Sequence, residues 1–280
     1  MNIKRNKGIF YMILASLFFA LMASSVKFAG DLPTMEKVFF RNLVGLIISC
    51  LFIYKSKVSF LGVNKKFLLL RSLAGFTGAV FYFYTLDKLP LSNAVILQQT
   101  NPFFVLAFAC FFLNESIKKS QILSILIAIT GVILIVQPQH DYSLLPSITG
   151  LLSAFFAAIA YTTVRHLRLS DHPQVIIFYF TGISSLLALP FMILGGFIMP
   201  SLSEFIALLL IGVFAFIAQT LMTKAYSYAE AGDLSLYSYG KTVFSVIIGI
   251  VFFLEIPGLV TAIGVSLVLF ASYLNYIFKK

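Results

Sequence analysis

Two short polar clusters interrupt otherwise apolar stretches of this chain, Gln98-Gln99-Thr100-Asn101-Pro102 and Ser238-Tyr239-Gly240-Lys241-Thr242. Charged groups are expensive in such surroundings: a lysine, arginine or aspartate at the centre of a membrane helix costs about 2.5–3.5 kcal/mol on insertion scales and usually faces a bundle interior or a cavity. Pro102 removes a backbone N–H and opens the helix around it, freeing a carbonyl beside Asn101. Gln98, Gln99 and Asn101 would then offer neutral donors and acceptors, Tyr239 a ring with a hydroxyl, and Lys241 a charge. The apolar stretches hold no carboxylate at matching depth, so the complement to Lys241 is expected on a bound anionic group, a carboxylate or phosphate. The alternative for the amides and the tyrosine is ordinary interhelical hydrogen bonding.

Other polar residues extend the pattern. Arg41 lies a few residues into its apolar stretch and reads either as a cation snorkelling to the surface or as a second anchor for an anion. Gln219 sits inside a later stretch, while Lys224 is near enough to the end of it to be solvated. Tyr82 and Tyr84 read as aromatic packing. Glu115 and Glu255 fall at equivalent ends of two stretches and read as structural, as do the remaining acids. Small residues at four-residue spacing, Ala74 and Gly78, Gly75 and Ala79, Ala154 and Ala158, permit close helix approach.

Enzymatic chemistry finds little footing. There is no H-E-x-x-H, no G-x-S-x-G and no carboxylate pair inside an apolar stretch. His140, His166 and His172 lie between stretches, where a solvated imidazole is the default. Cys50 and Cys110 sit inside apolar runs and behave as small hydrophobes, so neither a disulfide framework nor a metal site is expected, and no cofactor is called for. A channel would need a filter segment or a ring of charges, and neither is visible.

The elements that must position these residues are long and apolar. Of the 280 residues 60% are hydrophobic and only 11% charged, where a soluble domain has about a quarter charged. Lipid is therefore the expected partner of most of the surface. The net charge of +10 sits in gaps between apolar runs and forms no basic face, which argues against a nucleic-acid partner. A bilayer needs about 20 apolar residues per helix, and runs of that kind occur near 8–29, 36–54, 67–87, 92–112, 120–137, 146–166, 174–195, 203–227, 232–253 and 259–277. The first run is longer than a signal-peptide core of about 7–15 residues and is expected to stay in the protein. Ten helices in an all-α membrane protein result.

Basic residues then set the orientation. With a cytoplasmic N-terminus, Lys4, Arg5, Lys7, Lys55, Lys57, Lys65, Lys66, Arg71, Lys118, Lys119, Arg165, Arg168, Lys279 and Lys280 collect inside, fourteen of the twenty. The outer gaps hold Lys27, Lys37 and Lys88, so both termini are expected in the cytoplasm.

Sliding the chain by 140 positions lays Phe112-Leu113-Asn114-Glu115 on Phe252-Phe253-Leu254-Glu255. Two units, 1–139 and 140–280, each hold five spans, and an odd number inverts the second against the first. Inverted repeats bind substrate near the midplane where the halves meet.

The run from Leu86-Asp87-Lys88-Leu89-Pro90-Leu91-Ser92-Asn93-Ala94 to Pro102-Phe103-Phe104, then Phe112 to Glu115 and Ile127 to Ile135, resembles the EamA repeat of the drug/metabolite transporter superfamily. The second copy, Ala225 to Glu255 and on to Tyr273, is similar but looser, with Thr242 where the first has Pro102. The resemblance covers nearly the whole chain. It implies a secondary transporter of a small polar metabolite, an amino acid or a related anionic or zwitterionic solute, in a bacterial inner membrane, by alternating access. A nucleotide-like cargo such as S-adenosylmethionine, or a lipid or lipid-linked flippase, stays open, and so does a homodimer. The lack of a central Asp, Glu or His relay favours exchange or facilitated diffusion over tight proton coupling.

Overall fold

The computed structural model describes residues 2–104, 108, 119–136, 144–167, 169–229, 234 and 237–279. Among these every regular element is a helix. They are α1 (Asn2–Phe28), α2 (Thr34–Ser56), α3 (Lys65–Lys88), α4 (Leu91–Gln98), α5 (Lys119–Val136), α6 (Leu144–Leu167), α7 (Pro173–Leu194), α8 (Leu202–Tyr228), α9 (Gly240–Phe253) and α10 (Leu259–Lys279). Six of them, α1–α3 and α6–α8, are long and apolar enough to cross a bilayer, and shorter apolar segments occupy α5, α9 and α10. The expected span 92–112 is described only to residue 104 and at 108. Cys110, Glu115, His140 and the 137–143 connection lie outside the described residues.

Helix ends follow local chemistry. Gly30 takes φ +61°, which lets α1 turn directly into α2. Ser201 and Glu204 form a reciprocal capping box on α8. The His172 ring caps α7, accepting the Gln174 N–H at 3.3 Å, with Pro173 at the first helical position. His166, expected between spans, belongs to the last turn of α6 and lies 4.4 Å from the Phe67 ring, centroid to centroid.

Packing joins α1 to α8, α3 to α6, α5 to α10, α2 to both α7 and α8, α3 to α7, α1 to α9, and α4 to both α6 and α9. Exchanging α1–α5 for α6–α10 returns these same pairs. At the α5–α10 crossing a Cβ on Gly131 would come within 2.7 Å of the Gly264 carbonyl, and a Cβ on Gly264 within 2.7 Å of the Gly131 carbonyl. The two helices therefore cross with backbone against backbone at Gly131 and Gly264, and they begin 140 positions apart, at Lys119 and Leu259.

One end of the bundle gathers the turns after α1, α3, α7 and α9. There the Lys37 ammonium, fully buried, donates to Asp87 at 2.6 Å and to the Gly30 carbonyl at 2.7 Å, while Thr34 donates to the other Asp87 oxygen at 2.8 Å. Glu255 takes the Lys27 ammonium on one oxygen and the Leu91 N–H, at 2.6 Å, on the other. Glu36 accepts the Ile198 N–H at 3.3 Å. At the opposite end Asp171, after α6, accepts the Val63 and Asn64 N–H groups at 2.6 and 3.3 Å. The outer lysines Lys27 and Lys37, counted as gap charges from sequence, are thus partners in structural ion pairs. Lys224 is exposed, as expected of a solvated anchor.

Candidate functional site

The fourth helix stops early. α4 ends at Gln98, and the Thr100 N–H returns only to the Leu97 carbonyl at 3.2 Å, a tightened last turn before Pro102. Pro102 lacks the N–H that would reach the Gln98 carbonyl four residues back. The side-chain amide of Asn101 fills that acceptor instead, at 2.9 Å. The carbonyl freed by the proline is therefore that of Gln98, and Asn101 is occupied in sealing the break.

α9 has its own interruption, starting at Gly240 with Tyr239 as its N-cap. The two interruptions touch. Gln99 donates to the Ser238 carbonyl at 2.8 Å, Ser16 from α1 donates to the Tyr237 and Ser238 carbonyls at 3.2 and 3.3 Å, and the Lys241 ammonium donates to the Gln98 side-chain oxygen. The polar clusters expected to face each other across a gap thus meet directly and form one wall. Gln98 and Lys241 line the space beside it; Gln99, Asn101 and Tyr239 are buried behind it.

That space is narrow, a cavity of about 50 Å³, well under the roughly 300–1,000 Å³ of small-molecule pockets. Its wall draws on eight helices. Phe19 and Met22 come from α1, Arg41 from α2, Gly75, Gly78, Tyr82 and Phe83 with Arg71 from α3, Gln98 from α4, Ala157, Ala160 and Tyr161 from α6, Phe180 from α7, Gln219 from α8 and Lys241 from α9. Among the described residues α5 and α10 contribute nothing to it, and they pack on one another.

Among the described residues three cations line this space and no carboxylate does. Arg41 is 6% exposed and does not snorkel; its guanidinium lies 5.2 Å from the Phe180 centroid and 5.9 Å from that of Phe83. Arg71, counted from sequence among the inner loop charges, is 2% exposed and presses its guanidinium against Phe180 at 3.8 Å. It donates one bond, 3.3 Å, to Gln219. Lys241, 6% exposed, stands 4.4 Å over the Tyr82 ring and 5.7 Å from that of Phe19. Aromatic faces attract cations, worth about 0.5–2 kcal/mol, far less than the cost of full desolvation. The Nε and Nη1 of Arg71, the Nε of Arg41 and the hydroxyl of Tyr82 have no hydrogen-bond partner.

Gly75 explains how Arg71 fits. One turn along α3 from the arginine, a Cβ there would lie 2.2 Å from Arg71 Nη1 and 2.7 Å from the Phe180 ring. From sequence Gly75 reads as a packing residue and Arg71 as an inner charge, and nothing marks Tyr161 or Phe180. The available signal was depth, since Lys65 and Lys66 already serve the start of α3 and Arg71 lies six residues farther in.

The EamA-like transporter family matches residues 6–137 and again 144–277, almost the entire chain in two copies. The chain belongs to that family. Among its relatives are the pseudopaline exporter CntI of Pseudomonas aeruginosa, 35% identical over 94% of each chain, and solute carrier family 35 member G1 of Homo sapiens, 29% identical over 98% of this chain and 79% of the human one. An uncharacterized transporter of Helicobacter pylori is 30% identical over 95% of this chain and 93% of its own length. A solved crystal structure with 17% identity superposes over 98% of this chain at a TM-score of 0.73, a likeness of fold. This EamA-family chain is a multi-pass membrane protein of two repeats, and its family places it among transporters.

Proposed function

We propose that the protein is a secondary transporter of a small polar metabolite, anionic or zwitterionic, acting in a bacterial inner membrane by alternating access of two inverted five-helix repeats. The carrying observation is the cavity itself: its wall takes residues from both family repeats, and its charged members, Arg41, Arg71 and Lys241, lie beside two interrupted helices that meet at Gln98 and Lys241. Interrupted helices near the midplane are how transporter folds expose polar backbone and side chains to cargo without exposing them to lipid. The exchange symmetry of the helix pairs supports the two-fold relation. Inversion is supported by the ends of the helices: α1 finishes beside Glu255 at one end, whereas α6 finishes where Asp171 meets the α2–α3 loop at the other. Both termini are assigned to the cytoplasm on the distribution of basic residues. The relative named as an exporter supports export as the working direction.

Purified protein in liposomes tests this reading. Counterflow of radiolabelled metabolites, chosen from those that raise the melting temperature in detergent, is expected to be saturable and to fall at least tenfold in Lys241→Ala. Flux of an anionic hit at wild-type rate through Lys241→Ala would make the lysine structural and remove the site assignment.

A further inference from the structure

Two of the three cavity cations share one aromatic ring and the third stands apart, an arrangement that describes a ligand more narrowly than "anionic". Arg41 and Arg71, from α2 and α3, both bear on Phe180 of α7. Lys241 is held by Gln98 and Tyr82 beside the broken helices. Buried positive charges repel one another in low dielectric, and each demands a counter-charge that no described carboxylate supplies. The α-amino group of a simple amino acid would bring a fourth positive charge into this space and cancel its own carboxylate. A solute with a single carboxylate would leave two cations uncompensated. The unpartnered Nε and Nη1 of Arg71, on different edges of one guanidinium, leave donors on both edges for the charge-assisted hydrogen bonds of an oxyanion.

We propose that the cargo carries at least two separated oxyanion groups, carboxylate or phosphate, and a net charge of −2 or below, one group on the Arg41–Arg71 pair at Phe180 and another on Lys241 and Gln98. The assignment rests on the transporter reading above and deepens it. It also gives the empty protein an energetic character: with the site vacant, three cations are held against their own repulsion, so the same residues that bind cargo weaken the cargo-free fold.

Melting temperature of the purified full-length protein, in a buffer of low anion content, reads both sides of this. Citrate at about a hundredfold its apparent Kd is expected to raise the melting temperature by roughly 5–10 °C, succinate by less, and alanine or glutamine not at all. 2,3-Bisphosphoglycerate serves as the phosphate counterpart of citrate, and the larger shift of the two names the preferred oxyanion. Arg71→Gln should abolish the citrate shift while the ligand-free melting temperature stays level or rises; Arg71→Lys, which keeps the charge and loses the fork, should retain part of the shift. Arg41→Gln repeats the test should Arg71→Gln not fold. Equal shifts from alanine and citrate, no shift from any oligoanion, or a ligand-free Arg71→Gln protein that folds but melts well below wild type, each overturns the proposal. These outcomes leave the transporter reading standing, which fails separately if liposomes show no saturable flux of any solute.

Discussion

Lys37 and Lys241 are buried to nearly the same degree, 0% and 6% exposed, and are treated in opposite ways. Lys37 is enclosed by a carboxylate, Asp87, and a carbonyl, Gly30, both within 2.7 Å. Lys241 receives one neutral amide oxygen and two ring faces. Among the described residues, the carboxylates of Glu36, Asp87, Asp171 and Glu255 tie helices together at the ends of the bundle, and none lines the space in the middle. A cation with its own carboxylate holds the fold; in the proposed reading, a cation without one meets the charge of the cargo. Arg41 and Arg71 belong with Lys241 in the second group.

The largest effect expected of this contrast is at Asp87. Removing one partner of a buried ion pair strands the other, at about 3–5 kcal/mol. Asp87→Ala should lose that much stability in denaturant titration of the bilayer-reconstituted protein, and the double replacement Lys37→Met with Asp87→Leu should regain most of it. Lys241→Met should lose little or nothing on the same scale while losing flux of an anionic solute. A Lys241→Met protein as unstable as Asp87→Ala would place both lysines in one class and dissolve the comparison.

Gly75→Ala comes next. The new methyl group collides with the Arg71 guanidinium and the Phe180 ring, and overpacking of this kind costs about 1–3 kcal/mol. Displacing Arg71 should also lower flux, by about tenfold. In a double-mutant cycle with Arg71→Gln the two losses of flux should fail to add, because both act on one guanidinium. Full additivity would mean that Gly75 serves helix packing alone.

How much of this was legible in the sequence follows the same division. Helix length, hydrophobicity and breakers read out locally, so the long spans, the interruption at Pro102 and the small-residue faces of α3 could be seen in order. The doubling at 140 positions was visible too, and α5 and α10 keep that offset at their starts, but the close crossing at Gly131 and Gly264 was not. Contacts between distant segments did not read out. Counting Arg71 as a surface charge followed from its nearness to a span end; six residues at 1.5 Å put it about 9 Å inside, and what turns it inward is a ring on α7 and an absent Cβ at Gly75. Gln99 and Asn101 carry the same residue types as Gln98, yet rotation about the α4 axis and the missing proton of Pro102 commit them to backbone acceptors.

Asn101 offers a smaller, local test of that last point. Asn101→Ala strands the Gln98 carbonyl, a half-buried acceptor, at about 1–2 kcal/mol. Adding Pro102→Ala supplies a backbone N–H to the same oxygen and should restore most of the stability while closing the helix break. Flux in the rescued double variant is expected to stay low, since Gln98 would then be drawn into a regular turn and away from Lys241. Full recovery of both stability and flux would show that the break has no part in placing Gln98.

The least expected change in stability is at Glu255, and it bears on motion. The Lys27–Glu255 pair is 16% and 20% exposed at its side chains, and pairs in partial contact with solvent contribute about 1 kcal/mol or less. Glu255→Gln keeps an oxygen for the Leu91 N–H while releasing Lys27, so the α4 cap survives and only the charge tie between the family repeats is cut. A loss of 1 kcal/mol is about fivefold in a conformational equilibrium, because 1.4 kcal/mol is tenfold. If separation at this end is what opens the cavity there, a Met22→Cys reporter in a background lacking Cys50 and Cys110 should react severalfold faster with a membrane-impermeant thiol reagent added from that side. An unchanged labelling rate, with the melting temperature equally unmoved, would reduce Glu255 to a helix cap and confine the paired cations to holding the fold still.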